Sequence, residues 1–236
     1  MVFVKFKVDP ARTQAKIAVN LTTTTPQLSL SDENATLDLK LSLRITSSKQ
    51  EGRPVTLCVD KSVFQVSDPG EGGMDMFSRG AFGIIRNADL SRRGISLGYF
   101  KVHEARRDDS SDLRELGYRF ITVPGDGSSV EVTHRLSWER IFRYEEKRTK
   151  ADLEPGEKFE MSINRGYLGT IWWCWGDLEG DLKGKKLHEW QPGSFSGQKP
   201  SDEFVKEGNL VLGEELRLLD LEDVTEDRKV SFEIVE

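Results

Sequence analysis

Between Leu37 and Ile45 every second residue is apolar (Leu37, Leu39, Leu41, Leu43 and Ile45), and Asp38, Lys40, Ser42 and Arg44 fill the positions between. An extended chain sends successive side chains to opposite faces, so this run is a strand with one dry face and one wet face. After a polar turn at 47–54, Val55, Leu57 and Val59 resume the alternation against Thr56, Cys58 and Asp60, and the two runs read as neighbouring strands of a sandwich. The pattern returns at Val130, Val132, His134 and Leu136, and again at Phe159, Met161 and Ile163. Residues 1–8 also read as a strand, and 15–21, 63–67, 97–103, 118–123 and 229–235 are weaker strand candidates.

A chain of 236 residues can bury a sizeable core without covalent staples. Charged residues make up 31% and the net charge is −6, a balance that speaks against nonspecific nucleic-acid binding, which depends on cations neutralising phosphates. Cys58 and Cys174 are too few for a disulfide scaffold or a zinc quartet and read as two buried thiols. The first residues alternate apolar and basic instead of forming a signal peptide, and no run approaches the roughly twenty apolar residues of a membrane helix. The expected compartment is therefore the cytoplasm, with no membrane partner.

Between the strand candidates lie two irregular stretches, 68–96 with six glycines and 176–207 with Pro192 and Pro200. Loops of that length inside a domain are usually functional or mobile. They are expected as insertions in one domain spanning 1–236.

Leu153-x-Pro155-Gly156-x-x-Phe159-x-Met161, preceded by the alternating run at 130–136, resembles the corner between the last core strands of fibronectin type III and other immunoglobulin-like domains, with Phe159 at the usual tyrosine. The resemblance spans about residues 15–175 as an order of strands and implies an all-β, immunoglobulin-like antiparallel sandwich. Such sandwiches host unrelated functions, so it implies no activity.

The densest aromatic cluster is Ile171-Trp172-Trp173-Cys174-Trp175, with Tyr167 before it and Trp190 after it. If 171–175 is extended, Trp173 and Trp175 share one face and Trp172 shares the other with Cys174, so at least one indole belongs to the core. Any ring left exposed would stack on a sugar, a base or an aliphatic ligand. Tyr167, Trp172, Trp173, Trp175 and Trp190 are accordingly the candidate ligand-binding residues. Asp177, Glu179 and Asp181 have calcium-loop spacing, but Leu182 stands where such a loop needs glycine and His188 where it needs glutamate, so a solvated acidic turn is the better reading. His103, His134 and His188 form no metal pair, and His134 falls in phase with the apolar face of its strand. Gly70-Glu71-Gly72-Gly73 lacks the lysine of a phosphate loop. Arg135, Arg140, Arg143, Lys147, Arg148 and Lys150 are diluted by Glu139, Glu145 and Glu146 into a self-neutralising surface.

These residues point to a binding or interaction module without metal or cofactor, recognising a protein or small ligand through end loops and the aromatic cluster. Two alternatives stand beside it: an enzyme using carboxylates or His103 in a cleft between the long loops, and a carbohydrate binder using exposed tryptophans.

Overall fold

The computed structural model describes residues 4–66, 75–100, 111–193 and 198–236. In chain order the strands are β1 (Ala15–Thr23), β2 (Gln27–Ser29), β3 (Thr36–Ser48), β4 (Val55–Cys58), β5 (Arg86–Asn87), β6 (Phe120–Val123), β7 (Val130–Ser137), β8 (Lys158–Met161), β9 (Trp173–Trp175), β10 (Lys186–His188), β11 (Leu210–Leu212), β12 (Leu219–Asp223) and β13 (Val230–Val235). Two short helices, α1 (Trp138–Phe142) and α2 (Asp202–Glu207), begin on serine caps whose hydroxyls accept from Arg140 N and Phe204 N. The fold is all-β. Its sheets run β12-β1-β3-β7, β2-β13-β8-β5, β6-β4-β9 and β10-β11.

The alternating sequence explains how three of these sheets share one core. Leu37, Leu39, Leu41 and Leu43 on β3 and Ile17, Val19 and Leu21 on β1 point inward from the first sheet. They meet Phe159, Met161, Phe232 and Ile234 from the second sheet and Val55, Leu57, Trp173 and Trp175 from the third in a single buried cluster. Phe159 stacks on Phe232 at 5.6 Å, and Leu153 is buried just before the turn in which Gly156 takes φ +92° and donates its N–H to Ile234 O. That turn leads the chain from β7 in the first sheet to β8 in the second.

Several expectations are corrected. Pairing is not antiparallel throughout: β1 with β12, β13 with β2 and β10 with β11 are parallel. No local sequence feature marks these pairs, because each joins segments distant in the chain. β3 and β4 lie in different sheets, and β4 is buried on both faces because a second apolar cluster covers its far side. Residues 4–8 form no strand; the amides of Val4 and Lys5 both donate to Gly166 O. Residues 63–66 and 97–100 are not strands either: Lys61 at φ +65° and the hydrogen bond from Ser62 Oγ to Val59 O turn the chain before Val63.

Within the first long stretch, 75–96 is no free loop. Met76, Phe77, Ala81, Phe82, Ile85 and Ile95 are buried in the main cluster, and β5 extends the second sheet. Gly94 allows the chain to double back, since a Cβ there would lie 2.3 Å from Ile85 O. Of the second stretch, 176–193 contributes β10, while α2 occupies its end. Gly70 to Gly73 and His103 lie outside the described residues.

Candidate functional site

The aromatic cluster splits as the period of a strand requires. Trp173 and Trp175 face the main core, their rings meeting edge to face at 5.5 Å, while Trp172 and Cys174 face the second cluster with Cys58, Leu113, Leu182 and Leu187. Each buried indole has its polar edge satisfied. Trp173 Nε1 donates to Glu215 O at 3.1 Å and Trp172 Nε1 donates to His188 O at 2.9 Å. Phe120 covers Trp172 edge-on at 5.5 Å. Tyr167 is buried in the main core and its hydroxyl donates to Arg79 O. Four of the five predicted aromatic residues thus hold the two cores together, and their rings are covered by protein.

Trp190 differs. It is half-buried, and its indole makes no hydrogen bond or ring contact among the described residues. Its backbone is fixed at both ends: Trp190 N–H donates to His188 Nδ1 at 3.0 Å, and Trp190 O accepts from Gly213 N at 2.9 Å. The next amide, Glu214 N–H, donates to Trp173 O at 2.8 Å, so Gly213 and Glu214 tie Trp190 to β9. Only glycine fits at 213, where a Cβ would lie 2.5 Å from Trp172 Nε1 and 3.0 Å from Gln191 Cβ.

Two polar groups beside this junction are unusual. Gln191 is 8% exposed; its Nε2 donates to Ile171 O at 2.9 Å, but its Oε1 is buried with no hydrogen-bond partner among the described residues. Such an orphaned acceptor costs free energy unless something supplies a donor. Glu214 is half-buried, and burial pushes its carboxyl above the ordinary range against the lowering effect of Arg53. It is the one carboxyl among the described residues with a clear upward shift. Nothing in the residue pattern marks Gln191, Gly213 or Glu214, because their meeting depends on the parallel β10-β11 pair that brings 210–214 alongside 186–191.

The other candidates resolve into structure. His134 is 2% exposed, is hydrogen-bonded through Nε2 to Val63 O at 2.8 Å and lies edge-on to Phe77 and Phe82. Burial lowers its pKa to about 4. Burial likewise pushes the Cys174 thiol up to about 12 and the Cys58 thiol higher still, and both thiols are unpaired. Neither suits nucleophilic chemistry. Asp181 Oδ1 accepts from Asp177 N and Asp177 Oδ1 accepts from Glu179 N, so the acidic turn caps its own backbone. No three His, Cys, Asp or Glu side chains are grouped to hold a metal among the described residues.

The basic run is largely paired: Arg135 with Asp38, Arg143 with Glu139, Arg148 with Glu157 and Lys150 with Glu33. No helix among the described residues is long and apolar enough to cross a membrane. No family model, curated protein or solved structure matches the chain.

Proposed function

We propose that the protein is a non-catalytic ligand-recognition module whose binding surface is the Trp190, Gln191 and Glu214 junction. The observation that carries this reading is the one half-exposed indole of the aromatic cluster, held by backbone hydrogen bonds on both sides and tied through Gly213 and Glu214 to β9. A half-exposed aromatic platform beside a half-buried carboxyl suits a hydroxyl-rich small ligand such as a sugar, which offers an apolar ring face and several O–H donors. The unpaired thiols support a reducing compartment such as the cytoplasm.

The immunoglobulin-like reading of the sandwich belongs to the same proposal. It is supported by the turn at Leu153 to Gly156, which carries the chain between sheets, while the parallel β1-β12 and β2-β13 pairs depart from a purely antiparallel arrangement. A single unit is supported by a main core whose members run from Ala15 to Ile234.

The test is tryptophan emission against a panel of mono- and oligosaccharides. A responding sugar whose signal disappears in Trp190→Ala, with the melting temperature kept within a degree or two, supports the module; a response unchanged in Trp190→Ala, or none across the panel, defeats it.

The raised carboxyl of Glu214 near Trp173 favours a second reading, an acid-base enzyme in which Glu214 holds the catalytic proton. Turnover of a bound sugar that is lost in Glu214→Gln while binding persists would select that reading.

A further inference from the structure

A second groove lies on a different part of the molecule. On the wet face of the β12-β1-β3-β7 sheet, the register sets Ala18 opposite Arg44 and Asn20 opposite Ser42, while Ser129 directly precedes Val130, the partner of Leu43. The short side chains of Ala18, Asn20, Ser42 and Ser129 make a low floor beside Arg44. The chain beyond β12 forms a wall: Val224 N–H donates to Val19 O, and the Thr225 hydroxyl accepts from Leu21 N at 2.9 Å. The result is a groove of about 650 Å³ lined by Asn20, Thr22, Ser42, Arg44, Ser129 and Lys229, among others. That volume falls within the range of small-molecule sites.

Of the cations lining this groove, one is left without an ion-pair partner among the described residues. Two other cations on the same sheet face are neutralised, Lys40 by Glu131 at 3.1 Å and Arg135 by Asp38 at 2.9 Å. Lys229 is held by Glu160 at 2.6 Å. Arg44 is exposed and makes no hydrogen bond or ion pair among the described residues. The one carboxylate in the lining is Glu226, and Glu222, across from Ala18, does not line the groove. A guanidinium fork surrounded by hydroxyls and an amide is suited to hold an oxyanion.

We propose that this groove is a second binding site, which takes a small hydrophilic ligand carrying a phosphate or carboxylate, with Arg44 pairing the anion and Asn20, Ser42 and Ser129 hydrogen-bonding the polar remainder. It does not rest on the Trp190 reading, since the two sites share no residue.

The experiment is calorimetric titration of the full chain with glucose 6-phosphate, glucuronate, inorganic phosphate and glucose, repeated with Arg44→Gln. Binding of at least one of the two sugar anions is expected, weakened at least tenfold in Arg44→Gln and weaker at higher salt, with glucose undetectable under the same conditions. The phosphate and carboxylate arms identify the preferred anion, and tighter binding of a sugar anion than of inorganic phosphate supports a ligand that fills the groove. Glucose binding as tightly as the anions, affinity unchanged in Arg44→Gln, or no heat with any anionic probe overturns the proposal. Arg44 is exposed, so its variant should melt like the parent; amide shifts at Asn20, Ser42 and Ser129 during the titration place the ligand in this groove.

Discussion

Single residues set the pH response. His134 is enclosed by Phe77 and Phe82 and titrates near 4 in the folded chain, against about 6.5 when unfolded. Between those pH values the unfolded state binds the extra proton, so stability is full above about 6.5 and declines as pH falls toward 4, by about 3 kcal/mol. Urea midpoints at neutral and mildly acidic pH should show this slope in the parent and a shallower one in His134→Gln. At Trp173, fully buried and hydrogen-bonded to Glu215 O, truncation to alanine should cost about 3–5 kcal/mol; a melting temperature within a degree or two of the parent would contradict the packing. Asp227 and Arg228 stand in succession at φ +49° and +57°, where side chains are strained. Arg228→Gly should therefore stabilise by up to about 1 kcal/mol, read from the same denaturation curves.

Elements are joined by contacts the residue pattern only partly announced. Arg140 on α1 is 6% exposed, pairs with Asp75, donates to Leu97 O at 3.1 Å and has the Phe77 and Tyr144 rings over its guanidinium. It fastens the helix to the 75–98 segment. Burial alone would raise the Asp75 pKa, but hydrogen bonds from Arg140 and Ser78 lower it overall, so its contribution is present above about 3.9 and lost as pH falls further. That window lies below the one set by His134. Asp75→Ala leaves a buried cation without its carboxylate and should cost about 3–5 kcal/mol by chemical denaturation. The alternation at 37–45 told which leucines are buried, and all four from Leu37 to Leu43 are fully so. The basic run promised a self-neutralising surface, yet nothing in sequence singled out Arg140 as the member drawn inside. Its partner Asp75 lies 65 residues away in a stretch without periodicity. For the same reason the split of the tryptophans between two faces was legible, whereas Gln191 and Glu214 were not.

At the largest scale the described residues form two apolar clusters of unequal size, separated by the β6-β4-β9 sheet. The smaller draws on 113–120, 171–187 and Val211, together with Cys58. Trp172→Ala should loosen it locally: hydrogen exchange should quicken at Leu113 and Leu187 while β3 keeps its protection. Loss of protection throughout would show that the two clusters melt as one. Strand existence was readable because alternation is a local signal; sheet membership was not, because parallel pairing is decided by partners far along the chain. The pairing of β1 with β12, continued by the bond from Leu21 N to Thr225 across 204 residues, has a consequence during synthesis. At ribosomal speeds of 5–20 residues per second, β1 waits roughly 10–40 s after its own emergence before its outer partner exists. Throughout that interval one flank of the strand is an open template, so a nascent chain of this protein is most vulnerable to mispairing just when its longest hairpin, β1 with β3, has already formed.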